Sequence, residues 1–240
     1  MSLEAGNVWV IGIALIYLSI QLYLTLLIER SPVKPVKGPN ISYVLLVPVR
    51  NEERTLPYFI SSIEAQTVPL RVIWGNDNSE DITQQILEAT IKKHKGWEIH
   101  HVSPNLHQHF PGKHAVLVEL ERYIEGDIFL IADADMRFPP KWAETLISRL
   151  LSRSEIGGAC GPSLPIERSI WEAFQRIEWA SILYLIAAMQ KRGEVVTAIG
   201  NSMAVRTAAW ATIGGWKSLP PSLVEDYAFK QAIEEAGWRF

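Results

Sequence analysis

Cysteine is nearly absent: Cys160 is the one thiol in the chain. It excludes an internal disulfide and a cysteine-rich metal site, and it suits a reducing compartment. The residue reads as a small buried apolar side chain. Also missing is any long run of lysine or arginine, and the formal net charge is −3. Such a chain offers nucleic acid no basic footprint, so nucleic acid is excluded from the expected partners. No internal repeat and no low-complexity tract interrupts the sequence. A glycine-rich turn is lacking where it would matter most. After the first apolar run of the globular part stands VPVRNEE, Val47 to Glu53, where a dinucleotide-binding domain carries GxGxxG. A nucleotidyltransferase would also carry a glycine-rich, basic signature there.

What is present is a chain of 240 residues, 48% hydrophobic and 20% charged, enough for a packed α/β core. It opens on an apolar stretch without a charge from Val8 to Ile28, VWVIGIALIYLSIQLYLTLLI. As a helix rising about 1.5 Å per residue it matches the ~30 Å hydrocarbon core of a bilayer. The stretch reads as a single-pass N-terminal anchor over residues 1–30. A cleavable signal peptide would want basic residues before a shorter core, whereas Glu4 precedes this one. Arg30, Lys34 and Lys37 follow it and no lysine or arginine comes before. The positive-inside rule therefore places the rest of the chain in the cytoplasm. Residues 31–42, with prolines at 32, 35 and 39, read as a stiff linker, and 43–240 as one globular domain.

Within that domain apolar runs alternate with helical patterns: Tyr43 to Val49, Arg71 to Gly75, Trp97 to Val102 and Asp127 to Ala132. The alternation implies βαβ units and a mainly parallel central sheet with flanking helices. Leu56, Phe59, Ile60 and Ile63 form a helical stripe that would face the sheet. A second helix is expected to start near Ser79, with Glu80 and Asp81 at its positive end.

Ligands of open parallel sheets gather at the carboxyl ends of the strands. Those ends carry Arg50-Asn51-Glu52, Asn76-Asp77-Asn78 and Asp133-Ala134-Asp135. Carboxylates repel a diphosphate unless a hard divalent cation bridges them. The expectation is Mg²⁺ or Mn²⁺ at Asp135, helped by Asp133, with Glu52 and Asp133 counted among the donor-site residues.

These segments resemble the family 2 glycosyltransferases, whose domain has the GT-A fold. VPVRNEE is similar to that family's opening strand motif, NDNSED (Asn76 to Asp81) to its acidic loop, and ADAD (Ala132 to Asp135) to its DXD motif. Gly112-Lys113 and Glu225-Asp226 follow in the family's order. The resemblance implies a nucleotide-sugar donor, with Asp77 on its base, Lys113 on the nucleotide and Asp135 on the metal. It further implies Asp226, in the Glu225-Asp226 pair, as catalytic base of an inverting single displacement. The implied substrates are a donor, UDP-linked before GDP-linked, and a lipid or polysaccharide acceptor at the cytoplasmic membrane face. Asn76 departs from the family's acidic residue there. The sequence also stops before the QxxRW motif and membrane helices of the membrane-bound members, so a fragment or a minimal member is expected. A noncatalytic membrane scaffold with a degenerate version of the fold is the alternative from another class.

Other features have plainer readings. All six histidines lie between His94 and His114, without metal-ligand spacing, and read as a solvated loop, with His109 or His114 beside Lys113 as possible neighbours of the donor. Trp171 to Met189 reads first as a buried helix and second as an interfacial or acceptor-lining one. Asp133 is open between the ribose and the metal, and Glu225-Asp226 between helix-dipole partners and catalysis. Gly200 to Arg206 and Gly214-Gly215-Trp216 read equally as acceptor-side segments or structural turns.

Overall fold

The computed structural model describes residues 3–27, 43–164, 169–191 and 197–240. The chain divides into two compact units, residues 1–32 with 162–197 and residues 33–161 with 198–240. The smaller contains α1 (Leu3–Leu27) and α6 (Ile170–Lys191). The larger contains, in chain order, β1 (Tyr43–Val49), α2 (Leu56–Glu64), β2 (Leu70–Asn76), α3 (Thr83–Ile91), β3 (Glu98–His101), α4 (Gly112–Leu120), β4 (Ile128–Ala132), α5 (Trp142–Leu151), β5 (Gly158–Cys160), β6 (Ser202–Arg206), α7 (Thr207–Thr212) and α8 (Glu225–Glu235).

The strands of the larger unit form one sheet in the order β3-β2-β1-β4-β6-β5. The run YVLLVPV is apolar throughout because β1 is covered on both faces. Leu45 and Val47 join Phe59, Trp74 and Leu146 in one core, while Val44 and Leu46 join Leu117, Phe129 and Phe229 in the other. The alternation of side chains along a strand divides them this way. The stripe Leu56, Phe59, Ile60 and Ile63 is buried as expected, each side chain contributing about 1.5–3 kcal/mol. At Gly75 an added Cβ would stand 2.5 Å from Val116 Cγ1, so glycine in β2 is what lets α4 approach the sheet.

Two expectations change here. The pairings β1–β2, β1–β4 and β2–β3 are parallel, but β6 runs antiparallel to both β4 and β5; the sheet is mixed. The helix expected near Ser79 begins at Thr83. Ser79 does not cap it, because its hydroxyl accepts the Asn51 N–H and donates to Asn76 Oδ1.

In the smaller unit the Tyr17 and Ser181 hydroxyls hydrogen-bond at 2.8 Å between α1 and α6. Ser19 and Thr25 turn their hydroxyls back onto carbonyls one turn earlier in α1. Trp9, Ile13, Ile16 and Leu22 are exposed. So are Trp171, Phe174, Ile177, Trp179 and Leu185 of α6, which corrects the buried-helix expectation. Among the described residues no helix is long and apolar enough to cross a membrane, so the crossing expected over residues 1–30 is not found. The linker at 31–42 and the cations Arg30, Lys34 and Lys37 lie outside the described residues.

Candidate active site

β2, β1 and β4 are neighbours, and the sheet order reverses about β1, the usual position of a ligand crevice. Val49 lies opposite Asn76 and Leu46 opposite Ile131. Arg50, Asp77 and Asp133 therefore leave the sheet at one edge.

The loops after β1 and β2 are tied to each other. Asn51 Oδ1 accepts the Glu80 N–H at 2.8 Å, the Glu52 N–H donates to Thr83 Oγ1 at 2.8 Å, and the Glu53 N–H donates to Asp81 Oδ2 at 3.1 Å. Asn51 and Asn78 hold φ of 55° and 53°, left-handed conformations that asparagine tolerates better than most residues. The buried Asn76 accepts the Ser79 N–H and hydroxyl on Oδ1 and donates Nδ2 to Gln84 Oε1 at 2.6 Å. Its amide holds the loop as acceptor and donor at once.

Asp77 lies at the base of these loops with its side chain 6% exposed. His107 Nε2 is 2.6 Å from Oδ1, and Arg50 Nη1 is 3.5 Å from Oδ2. His107 sits on a 3₁₀ turn, Pro104–Gln108, that follows β3.

Lys113, in the first turn of α4, joins three parts of the chain. Its ammonium lies 2.5 Å from Asp133 Oδ1 after β4 and 3.7 Å from Glu225 Oε1 at the start of α8, and it donates to Gly200 O at 3.0 Å. The ion pair satisfies an Asp133 oxygen that is buried and has no hydrogen bond of standard geometry. Asp226 Oδ2 accepts the Gly200 N–H at 2.9 Å and Oδ1 the Tyr227 N–H at 2.8 Å. A Cβ on residue 200 would stand 2.8 Å from Asp226 Cβ, so Gly200 is small to admit Asp226. Lys113, Glu225 and Asp226 wall a small cleft whose apolar lining includes Ile131, Met203 and Trp216.

The charges of this region are unbalanced. Burial raises the Asp133 carboxyl above the usual range, Lys113 opposes the rise, and Asp135 and Asp226 add to it. Burial likewise raises Glu225, again against Lys113. Burial raises Glu52, against a hydrogen bond from Thr55, and Asp135 and Asp133 push it further. Like-charged groups that raise one another mark a field favourable to a cation. Among the described residues no three His, Cys, Asp or Glu side chains close round a metal position. A divalent ion shared with a diphosphate needs only one or two carboxylates. Asp135 suits that duty: it is exposed and has no hydrogen-bond or ion-pair partner among the described residues. Asp133 suits it less, being paired with Lys113.

The structure thus gathers Lys113, Asp133, Glu225 and Asp226, couples Glu52 and Asp135 to them electrostatically, and holds Asp77 in the neighbouring loops. Sequence reasoning placed all six histidines in a solvated loop: His101 and His109 are exposed, but His94 and His100 are half-buried against Glu64 and Glu98, and His107 is half-buried against Asp77. It also misjudged His114, which is fully buried with Nε2 2.9 Å from Trp216 O. Nothing in the order of residues announces the partner of His107 or of His114.

A family model, glycosyl transferase family 21, matches residues 7–240. The chain is 27% identical over 160 residues to the undecaprenyl-phosphate 4-deoxy-4-formamido-L-arabinose transferase of Pseudomonas fluorescens, covering 65% of this chain and 44% of that protein. It is 28% identical over 108 residues to the Yersinia enterocolitica transferase of that name, covering 43% and 32%. It thus spans less than half the length of these curated relatives. Among solved structures it is similar to the mannosyltransferase PcManGT from Pyrobaculum calidifontis in complex with GDP-Man and Mn²⁺, with TM-score 0.65 and 19% identity over 94% of this chain and 60% of that one. It is also similar to glucosyl-3-phosphoglycerate synthase from Mycobacterium tuberculosis in complex with UDP, with TM-score 0.56 and 18% identity over 88% and 74%. At such identities the likeness shows the fold, α/β of GT-A type with a mixed sheet.

Proposed function

The chain belongs to glycosyl transferase family 21, and on that premise we propose that it transfers a sugar from a nucleoside-diphosphate sugar, UDP-linked, to a lipid or polysaccharide acceptor at the cytoplasmic face of a membrane. The observation that carries this reading is the meeting of Lys113, Glu225 and Asp226 in one cleft, with Asp133 at the carboxyl end of β4 ion-paired to Lys113.

Asp77 takes the base of the donor, and Lys113 the diphosphate, exchanging part of its contact with Asp133 for phosphate oxygen. Asp133 and Glu52 border the donor, and Asp135, with Asp133 in support, holds Mg²⁺ or Mn²⁺. When bound, that ion neutralises charge on the leaving diphosphate. Asp226 removes the acceptor hydroxyl's proton in an inverting single displacement. The two N–H groups on its oxygens fix the carboxylate's direction while leaving lone pairs free. Buried Glu225 keeps Lys113 in place from the far side. The exposed apolar residues of α1 and α6 support a membrane-facing role for the smaller unit, and the lipid-phosphate transferases among the relatives support a lipid acceptor.

Calorimetric titration of UDP and then GDP into the purified chain, with and without Mn²⁺ and alongside Asp135→Ala, tests the reading. Metal-dependent UDP binding that the substitution abolishes is the expected result. No nucleotide binding by well-folded protein would favour the noncatalytic scaffold instead.

A further inference from the structure

We infer that His107 is a specificity residue of the donor site, one that turns Asp77 toward a uracil ring and away from guanine. The inference rests on the proposed role of Asp77 as the base contact. A carboxylate with its side chain 6% exposed must have its lone pairs occupied, and the two oxygens of Asp77 are occupied unequally. His107 Nε2 holds Oδ1 at 2.6 Å, with Asn78 Nδ2 a longer second donor to it at 3.5 Å, whereas Arg50 Nη1 lies 3.5 Å from Oδ2 on a side chain that is 59% exposed. A carboxylate beside one imidazole nitrogen fixes the proton on that nitrogen, so Nε2 donates and Oδ1 is engaged. Oδ2 carries only the long contact from Arg50, whose exposed side chain can yield one of the oxygen's lone pairs to a ligand while its guanidinium stays beside it.

A base approaching this edge meets an acceptor flanked by a donor. Uracil offers one imide N–H between two carbonyl oxygens: the N–H fits Oδ2 and a carbonyl fits Arg50. Guanine offers two adjacent N–H groups, at N1 and the exocyclic amine, and satisfying both on one carboxylate takes both oxygens. His107 already occupies the second. Its position on the 3₁₀ turn Pro104–Gln108 places it across from the β2 loop without using any group of the Lys113 cluster. It acts on the base alone, with no part in diphosphate or acceptor contacts.

The test measures dissociation constants for UDP, GDP and inorganic pyrophosphate with Mn²⁺, on the full chain and on His107→Ala and His107→Gln. In His107→Ala the preference for UDP over GDP is expected to fall about tenfold, the scale of one hydrogen bond to a charged group. Pyrophosphate affinity should stay unchanged, and His107→Gln, which keeps an N–H donor, should recover most of the preference. An unchanged preference in His107→Ala overturns the inference. So does an equal loss for all three ligands, since that marks a residue needed only for folding. A full chain that binds GDP more tightly than UDP also overturns it while leaving the donor site intact. If the full chain binds pyrophosphate and neither nucleotide, Asp77 is not a base contact and both readings fall.

Discussion

The two ends of the proposed site are built differently. Around Asp77 the chain uses many short-range hydrogen bonds between two loops, from Asn51, Glu52, Glu53, Asn76 and Ser79. Around Asp226 it uses few: the Lys113 ammonium draws together β4, α8 and the turn at Gly200. Redundant bonding resists the loss of any one residue, because neighbouring bonds keep the loop in place. A hub does not, because its removal leaves the half-buried Asp133 and the buried Glu225 unpaired at once. The Asp226 end should accordingly be fragile and the Asp77 end tolerant.

The sharpest probe of the fragile end is Asp226→Asn. The amide keeps an acceptor for the Gly200 N–H but cannot take a proton, so sugar transfer should fall by about 10²–10⁴-fold. Calorimetry should find UDP affinity unchanged. Loss of binding together with transfer would mean that Asp226 shapes the donor pocket instead. Next in size is Lys113→Met, which leaves Asp133 and Glu225 without their cation. Stability should fall by about 1–3 kcal/mol, read by denaturant unfolding, and UDP affinity should fall with it. A Lys113→Met protein as stable as its parent would remove the hub from the comparison. Smaller again is Gly200→Ala, whose methyl would stand 2.8 Å from Asp226 Cβ. Displacing Asp226 should cost about 1–3 kcal/mol in stability and slow transfer while sparing UDP binding. Transfer at the parental rate would show that the turn yields without moving the carboxylate.

The same contrast governs what the sequence discloses. β1 is legible from end to end because both its faces are buried, and the α2 stripe because helical periodicity is local. The polar clusters at the ends of β1, β2 and β4 follow from sheet geometry, which makes Asp77 and Asp133 candidates from the sequence alone. Glu225 and Asp226 enter the proposed site through family resemblance, since an acidic pair at a helix start has a plain dipole reading. What stayed hidden depends on partners far along the chain. His107 reaches Asp77 from 30 residues away, and His114 reaches Trp216 from 102. The direction of β6 depends on a connection through the other compact unit. The start of α3 was misplaced because Ser79 found partners across a loop in place of the helix end it was expected to cap.

The tolerant end is probed by Asn76→Asp, which restores the acidic residue that the resemblance expects. An aspartate keeps the acceptor for the Ser79 N–H and hydroxyl but loses the donor to Gln84 Oε1. Gln84 can answer by turning its amide to present nitrogen, at the expense of its bond to Glu88. The new charge would be buried beside Asp77, whose oxygens already face His107 and the Arg50 guanidinium. These effects partly cancel, so the expected cost is about 1 kcal/mol, a melting shift of about 2–4 °C. UDP affinity should change by less than about threefold, well inside one hydrogen bond's worth. The two loops hold together through the bonds from Asn51, Glu52 and Glu53, which the substitution does not touch. A large gain in UDP affinity would instead mean that the departure at position 76 weakens the donor site. Asn76 would then be a place where this chain has lost activity, and not a second solution to the same loop.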